Sequence, residues 1–297
     1  MKDDHALNTT FGQNGDQPAP KSRGLFRAAG KSTPSMGLTP VRQRTVRAPL
    51  APVIVQPPAG PLPDWNDLRL VLPGVRKHIL HRSPLVNFFR EDPVSKSFDL
   101  LRTRLLQTLR ANGWHRIAIA APTQGCGSTF TAVNLAQSLS RVQGSRNVLM
   151  DLNHRKPGLA KALDMDDVSS MRGFLSGDVS MERHLVRASK TLAVGLTGGA
   201  DQDAAELLHD ARCAASMDRI STALRPDVVL CDLPPILEFD DLAAFLPQVD
   251  GVLLVANGTK TLPKHIAACE KVLEGNTRVL GVILNQGRCA GPDPLDA

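Results

Sequence analysis

Residues 117–136 read IAIAAPTQGCGSTFTAVNLA, and the positions in it that could do chemistry are Gly125, Gly127, Ser128 and Thr129. Glycines at that spacing let backbone N–H groups turn inward around a polyphosphate, because a Cβ there would block the approach or forbid the backbone angles. A helix beginning beside them adds partial positive charge, and Thr129 offers a hydroxyl of the kind that holds Mg2+. What the loop lacks is a point charge on the terminal phosphates, since Ser128 stands where a lysine is expected. Losing one charge-assisted contact costs about 1.5–3 kcal/mol, roughly 10- to 150-fold in affinity. Two acids extend the chemistry. Asp151 and Asp232 each close a short apolar run, and such a pair facing a phosphate loop suits Mg2+, which keeps several waters and takes only one or two carboxylates.

These residues need a frame to hold them together. A strand over 117–121 runs into the loop at 122–129, and a helix follows with Ala132, Leu135, Ala136 and Leu139 on one face. Further apolar strands are predicted at 147–151, 192–196, 227–231, 251–256 and 279–284. Helical patterns intervene, including a short one at 158–163 and the series Leu262, Ile266, Cys269, Val272 and Leu273. Ahead of them, Phe98, Leu101, Leu105 and Leu109 predict an amphipathic helix over 93–112. Continuous apolar strands alternating with such helices predict an α/β domain with a doubly wound, mostly parallel sheet. Ligands of such sheets bind beyond the strand C-termini, and the loop, Asp151 and Asp232 all fall at that edge.

With 297 residues, 42% of them apolar, the chain can bury a proper core. Its formal charge of +6 is uneven: residues 1–60 hold eight Lys or Arg against three acids, and nine of the 22 prolines fall within the first 62 residues. Residues 1–62 lack periodic apolar positions to offset the entropy of ordering, so they are expected to form a disordered basic tail. Residues 63–92 read as a lead-in, 93–290 as the domain and 291–297 as a short tail. The loose spacing of the basic residues fits a solvated leader. Attachment to an anionic membrane surface or nucleic acid is the sharper alternative, and nucleic acid is not the favoured partner. The first residues lead into no apolar stretch and no run reaches membrane-spanning length, which predicts a cytoplasmic protein. Five cysteines without a CxxC pair and eight scattered histidines give no support to metal catalysis of the zinc type. Cys126 reads either as a small residue that fits the loop or as a thiol activated by the helix N-terminus.

Taken in order, these motifs resemble the BY-kinase family, the capsule and exopolysaccharide type of bacterial tyrosine kinase within the MinD/ParA group of P-loop ATPases. The resemblance spans about residues 93–288. The family's loop, S-P-x-x-G-E-G-K-S-T followed by N-L-A, appears here as Pro122, Gly125, Cys126, Gly127, Ser128 and Thr129, then Asn134, Leu135 and Ala136. Its D-x-D-x-R-x-P motif appears as VLMDLNHRKP, with Asp151, Arg155 and Pro157 matching and Asn153 in place of the second acid. Its D-x-P-P motif is intact at Asp232, Pro234 and Pro235, followed by Asp241. Connecting pieces look similar too: GFLSGDVSMERHL at 173–185, AELL at 205–208, DGVLLV at 250–255, Thr261, and GVILN ending at Asn285.

The resemblance implies a P-loop NTPase fold and a site for ATP or ADP with Mg2+. It implies nucleotide contacts at Gly125, Cys126, Gly127, Ser128, Thr129, Phe130, Arg155 and Asn285, metal contacts at Thr129, Asp151 and Asp232, and catalytic roles for Asp151 and Asp232. It further implies an inner-membrane polysaccharide co-polymerase as partner, a peripheral place at that membrane, and a homo-oligomer as a further assembly.

The departures bear on activity. Ser128 removes the loop lysine, and no lysine occupies the alternative signature position of MinD/ParA proteins near Gln124 and Gly125. Asn153 cannot act as a carboxylate base. Lys96, Asp99 and Arg102 stand where the family carries E-x-x-R-x-x-R, and the chain contains no tyrosine to phosphorylate. The expectation is a regulatory or scaffolding subunit of exopolysaccharide or capsule biosynthesis, with a degenerate ATP site at which nucleotide is weak or absent. The alternatives are an active ATP-dependent kinase or ATPase of the same pathway, and a ParA-like positioning protein whose basic tail binds DNA or membrane.

Overall fold

The computed structural model describes residues 9–10, 62–74, 93–166 and 169–287. Most of the expected leader, and the expected tail at 291–297, lie outside these residues. The strands are β1 (Thr9–Thr10), β2 (Arg116–Ala120), β3 (Asn147–Asp151), β4 (Leu185–Arg187), β5 (Leu192–Gly195), β6 (Val228–Asp232), β7 (Gly251–Asn257) and β8 (Arg278–Asn285). The helices are α1 (Pro93–Asn112), α2 (Ser128–Ser140), α3 (Leu159–Leu163), α4 (Met171–Leu175), α5 (Met181–His184), α6 (Ala204–His209), α7 (Ala211–Leu224), α8 (Asp241–Phe245) and α9 (Pro263–Leu273).

Eight strands form one sheet in the order β1-β8-β7-β2-β6-β3-β5-β4. The six from β8 to β5 run parallel, and β1 and β4 flank them antiparallel. The period-2 alternation of side chains divides the core in two. Ile117 and Ile119 of β2, Leu149 of β3, Leu230 of β6 and Leu253 of β7 face the layer of α1, α2 and α3. Ala118 and Ala120, Val148 and Met150, Val229 and Cys231, and Val252 and Leu254 face the layer of α4, α7, α8 and α9. The sheet is therefore covered on both sides, as the unbroken apolar strands predict.

Helix α1 covers residues 93–112 as its periodicity predicts, with Phe98, Leu101, Leu105 and Leu109 buried. It is clamped to α2 through Asp99, which accepts a hydrogen bond from Ser138 Oγ at 2.6 Å and pairs with both Arg102 and Arg141. Arg102 also donates to the Ser138 carbonyl at 3.1 Å. This arginine belongs to a helix seam.

Three parts of the sheet escape the periodicity reading. Strand β4 is only three residues long and too short to show a pattern. The lead-in carries Trp65 and Leu68, which are 3% and 1% exposed and belong to the core; beyond them the chain pairs alongside Arg187 through Val71 and Arg69. Thr9–Thr10, inside the segment expected to be disordered, pair with Ile283 and Val282 of β8, an edge whose N–H and C=O groups otherwise face outward.

Candidate functional site

Strands β2, β6 and β3 lie side by side, and the parallel register sets Asp151 directly across from Asp232. The loop after β2 folds over this edge and leads into α2. Thr129, in the first turn of α2, donates from Oγ1 to Asp232 Oδ2 at 2.6 Å. Asp151 Oδ2 accepts from the backbone N–H groups of Gly158 at 3.3 Å and Leu159 at 3.1 Å. The structure thus brings together Thr129, Asp151 and Asp232, the three residues assigned to a metal.

The electrostatics of the pair are set by burial. Both carboxylates are fully buried. Burial pushes the Asp151 carboxyl up to about 7, against the pull of the Leu159, Gly158 and Asn153 backbone donors. Asp232 is driven well above the usual carboxylate range, first by burial and then by the neighbouring Asp151 charge, while the Thr129 and Ser128 hydroxyls pull it back. Asp151 Oδ1 and Asp232 Oδ1 are buried without a hydrogen-bond partner. Two orphaned carboxylate oxygens beside a threonine hydroxyl are a donor set that fits a hard divalent cation. Among the described residues no group of three or more His, Cys, Asp or Glu is arranged for a metal ion, so further ligands would have to be water or phosphate, as Mg2+ prefers.

The loop itself is built as its glycines require. Gly125 and Gly127 have φ of +79° and +94°, in the left-handed region. At Gly127 a Cβ would also come within 2.2 Å of Asn285 Nδ2, which donates to the Cys126 carbonyl at 2.9 Å. Asn257 Nδ2 reaches the Gly125 carbonyl at 3.3 Å, and Glu238 Oε1 accepts from the Gln124 N–H at 2.8 Å. The segment after β6 straps the outer side of the loop, with Ile236 and Leu237 donating to the carbonyls of Ala121 and Pro122.

A pocket of about 300 Å3 opens between this loop and the turn after β3, lined by Gly125, Gly127, Ser128 and Thr129 on one side and by Asn153, Arg155, Lys156, Gly158 and Lys161 on the other. Phe239 and Pro235 complete its wall. A larger groove of about 770 Å3 lies at the opposite edge, among Arg116, Arg225, Asp227 and Asp250, and none of the motif residues reaches it. The smaller pocket is the one with chemistry.

The remaining assigned residues divide. Arg155 lines the pocket, but its guanidinium is held by Asp241 through contacts of 3.0–3.2 Å, by the Gln202 carbonyl at 2.6 Å and over the Phe239 ring at 5.1 Å. Asp241 is completely buried, which explains that grip. Cys126, Phe130 and Asn285 do not line the pocket, and neither do the fully buried Asp151 and Asp232, of whose cluster only Thr129 reaches it. Cys126 is 1% exposed and packs in the core, Phe130 leans on Phe98 with ring centroids 5.9 Å apart, and Asn285 braces the loop. Asn153 Oδ1 accepts from the Lys156 N–H at 3.1 Å and shapes the turn. Glu238, Asn257 and Lys161 were invisible to motif reading, because loop bracing and pocket lining by residues from distant segments leave no local pattern. A buried histidine pair adds to this. Burial holds His154 below its ordinary value and His184 down to about 4, and His184 stacks on Phe174 at 4.7 Å.

No family model matches the chain, whereas individual relatives do. It is 30% identical over 200 residues to a putative tyrosine-protein kinase EpsB of Ralstonia nicotianae, covering 66% of this chain and 26% of that protein. It is 31% identical over 177 residues to the succinoglycan biosynthesis transport protein ExoP of Rhizobium meliloti, covering 57% and 22%. The chain therefore spans about a quarter of the length of these two relatives. With the tyrosine-protein kinase YwqD of Bacillus subtilis it shares 28% identity over 194 residues, 64% of this chain and 80% of that one. The kinase domain of the Escherichia coli tyrosine kinase ETK superposes with a TM-score of 0.63 at 20% identity, covering 76% of this chain and 92% of that domain. Over about two thirds of its length the chain is thus similar in sequence to BY-kinase tyrosine kinases, and it shares the fold of their kinase domains.

Proposed function

We propose that the protein is a kinase-like P-loop subunit of exopolysaccharide or capsule biosynthesis. Its role is regulatory or scaffolding, and it acts with a membrane polysaccharide co-polymerase. The observation that carries this reading is Ser128, which lies in a loop shaped for phosphate beside a complete Thr129, Asp151 and Asp232 cluster. The binding architecture is retained while the loop's own cation is gone. The relatives named for polysaccharide transport and tyrosine phosphorylation support the pathway, and the absence of tyrosine argues against self-phosphorylation of this chain. Among the described residues no helix is long and apolar enough to cross a membrane.

In this reading Mg2+, when bound, would be held by Thr129, Asp151 and Asp232 and would neutralise phosphate charge. The loop N–H groups of 125–129 would orient the polyphosphate. Asn153 offers no base toward an attacking hydroxyl, and Arg155 is already engaged by Asp241. Phosphoryl transfer depends on positioning and charge stabilisation, so binding with little turnover is the expected behaviour. An active enzyme is the second reading, because the Thr129, Asp151 and Asp232 cluster that would hold Mg2+ is complete.

Complementation separates the two. In a strain lacking the gene, Thr129→Ala protein that accumulates normally should restore exopolysaccharide output if the role is structural. Failure of Thr129→Ala alongside ATP hydrolysis by the purified wild type would favour the enzyme.

A further inference from the structure

The residues lining the pocket carry three cations, Arg155, Lys156 and Lys161, and no carboxylate. Arg155 is committed to Asp241 and the Gln202 carbonyl. The two lysines are exposed, and they face Ser128 across the pocket. We propose that Lys161, assisted by Lys156, supplies from across the pocket the positive charge that Ser128 does not, so that the site binds a nucleoside triphosphate through lysines on the segment after β3. This rests on the nucleotide reading above and adds the residues that make it work.

The geometry supports the assignment because the segment bearing both lysines is fixed against the loop. Lys156 N–H bonds to Asn153 Oδ1 at 3.1 Å and to the Asn153 carbonyl at 3.2 Å. Two residues on, Gly158 lies so near Thr129 that a Cβ on it would come 3.0 Å from Thr129 Cγ2. The N–H groups of Gly158 and Leu159 are anchored on Asp151. Lys161 therefore starts less than one helical turn from the point where α3 touches the loop. A lysine carries its charge on a flexible four-carbon stem, which can cross a pocket of about 300 Å3. Lys260 is a useful contrast. Its Nζ lies 3.8 Å from where a Cβ on Gly125 would sit, but it is not among the residues lining the pocket.

The test is calorimetric titration of ATP with Mg2+ into wild type, Lys161→Gln, Lys156→Gln, the double variant, Ser128→Lys, Lys260→Gln, and the double variant carrying Ser128→Lys. Unfolding midpoints are recorded alongside, and the exposed lysines should leave them unchanged. Lys161→Gln should weaken ATP by about tenfold or more, the double variant more, and Lys260→Gln far less. With Ser128→Lys present the same losses should shrink, because the charge is then supplied twice; a merely structural role would not show that dependence. If wild type binds ATP and the double variant binds it equally well, or if Lys260→Gln matches Lys161→Gln, the lysine assignment is overturned and the nucleotide reading stands. If only Ser128→Lys binds, the pocket takes phosphate but the native lysines do not compensate. If neither wild type nor Ser128→Lys binds, both readings fall.

Discussion

The candidate site has two halves, a buried carboxylate cluster and the pocket beside it, and this sequence has treated them differently. The metal half, Thr129 with Asp151 and Asp232, is buried and hydrogen-bonded on one side of each carboxylate, and it matches the family's motifs residue by residue. The phosphate half is exposed at Gln124 and Gly125 and half-buried at Ser128, which stands in place of a lysine, and it has its remaining cations on the opposite wall. Burying two adjacent carboxylates with an orphaned oxygen each is unfavourable to folding. A chain with no use for a divalent cation would be more stable with Asn or an apolar residue at these positions, whereas a half-buried loop position such as Ser128 can change at less cost to the fold. The difference teaches that the half that is costly to keep is intact, which is why binding is the better-supported function than bare scaffolding by an empty shell.

The sharpest way to break the comparison is at the loop backbone. Gly127→Ala places a side chain at φ +94° and against Asn285 Nδ2, combining left-handed strain with a displaced brace on Cys126. The expected loss is about 2–4 kcal/mol of stability, with ATP no longer raising the unfolding midpoint. An unchanged ATP response would mean that the loop is not the phosphate cradle.

The metal half can be tested through pH. The folded Asp151 carboxyl sits at about 7 against an ordinary 3.8. Between those values the native state keeps a proton that the unfolded chain releases, so this group makes stability fall as pH rises through the window. At pH 8 the full penalty is present. Asp151→Asn should therefore stabilise the metal-free protein at pH 8 by up to about 3 kcal/mol, with the gain fading toward pH 4, while Mg2+-dependent nucleotide binding is lost. Stabilisation that is equal at both pH values would show that charge is not the cause.

On the phosphate half, Ser128→Lys should tighten ATP by roughly 10- to 150-fold, about 1.5–3 kcal/mol. Because Ser128 adjoins Thr129, whose hydroxyl bonds Asp232, an ammonium there should also ease the buried acid pair and raise the midpoint above neutral pH without nucleotide. Tightening without that shift would place the new charge away from Asp232.

How much of this was legible follows from where the information is local. Strands β2, β3, β6, β7 and β8 and helices α1 and α2 declare themselves by apolar periodicity, and their order alone carries the loop, Asp151 and Asp232 to one edge. The pocket's other wall was legible only in part, through the motif residues Asn153, Arg155 and Pro157 and the short helical pattern at 158–163. Lys161 lies on a five-residue helix with no motif, and Asn257 and Glu238 act on the loop from more than a hundred residues away. The motif implies a nucleotide contact at Arg155, which lines the pocket, but it gives no sign that Asp241, 86 residues later, holds the guanidinium. Trp65 and Leu68 were passed over for the same reason, since two apolar residues among prolines show no period.

The smallest effect belongs to a control outside the pocket, and it decides whether changes there are specific. Asp99 joins α1 to α2 through Ser138, Arg102 and Arg141, and it is 35% exposed, so its ion pairs are screened by solvent. Asp99→Ala should lower stability by about 1 kcal/mol, visible as a modest drop in denaturant midpoint with an unchanged slope. ATP affinity should not move, because the seam lies at the far end of α2 from Thr129 and neither pocket wall rests on it. Arg102→Glu should do the same by placing two acids together on one helix face, and for that reason a loss of partner docking in that variant would reflect a loosened α1 rather than a lost contact. If Asp99→Ala weakens ATP as much as Lys161→Gln does, the pocket responds to general loosening of α2, and the distinction between its two halves no longer holds.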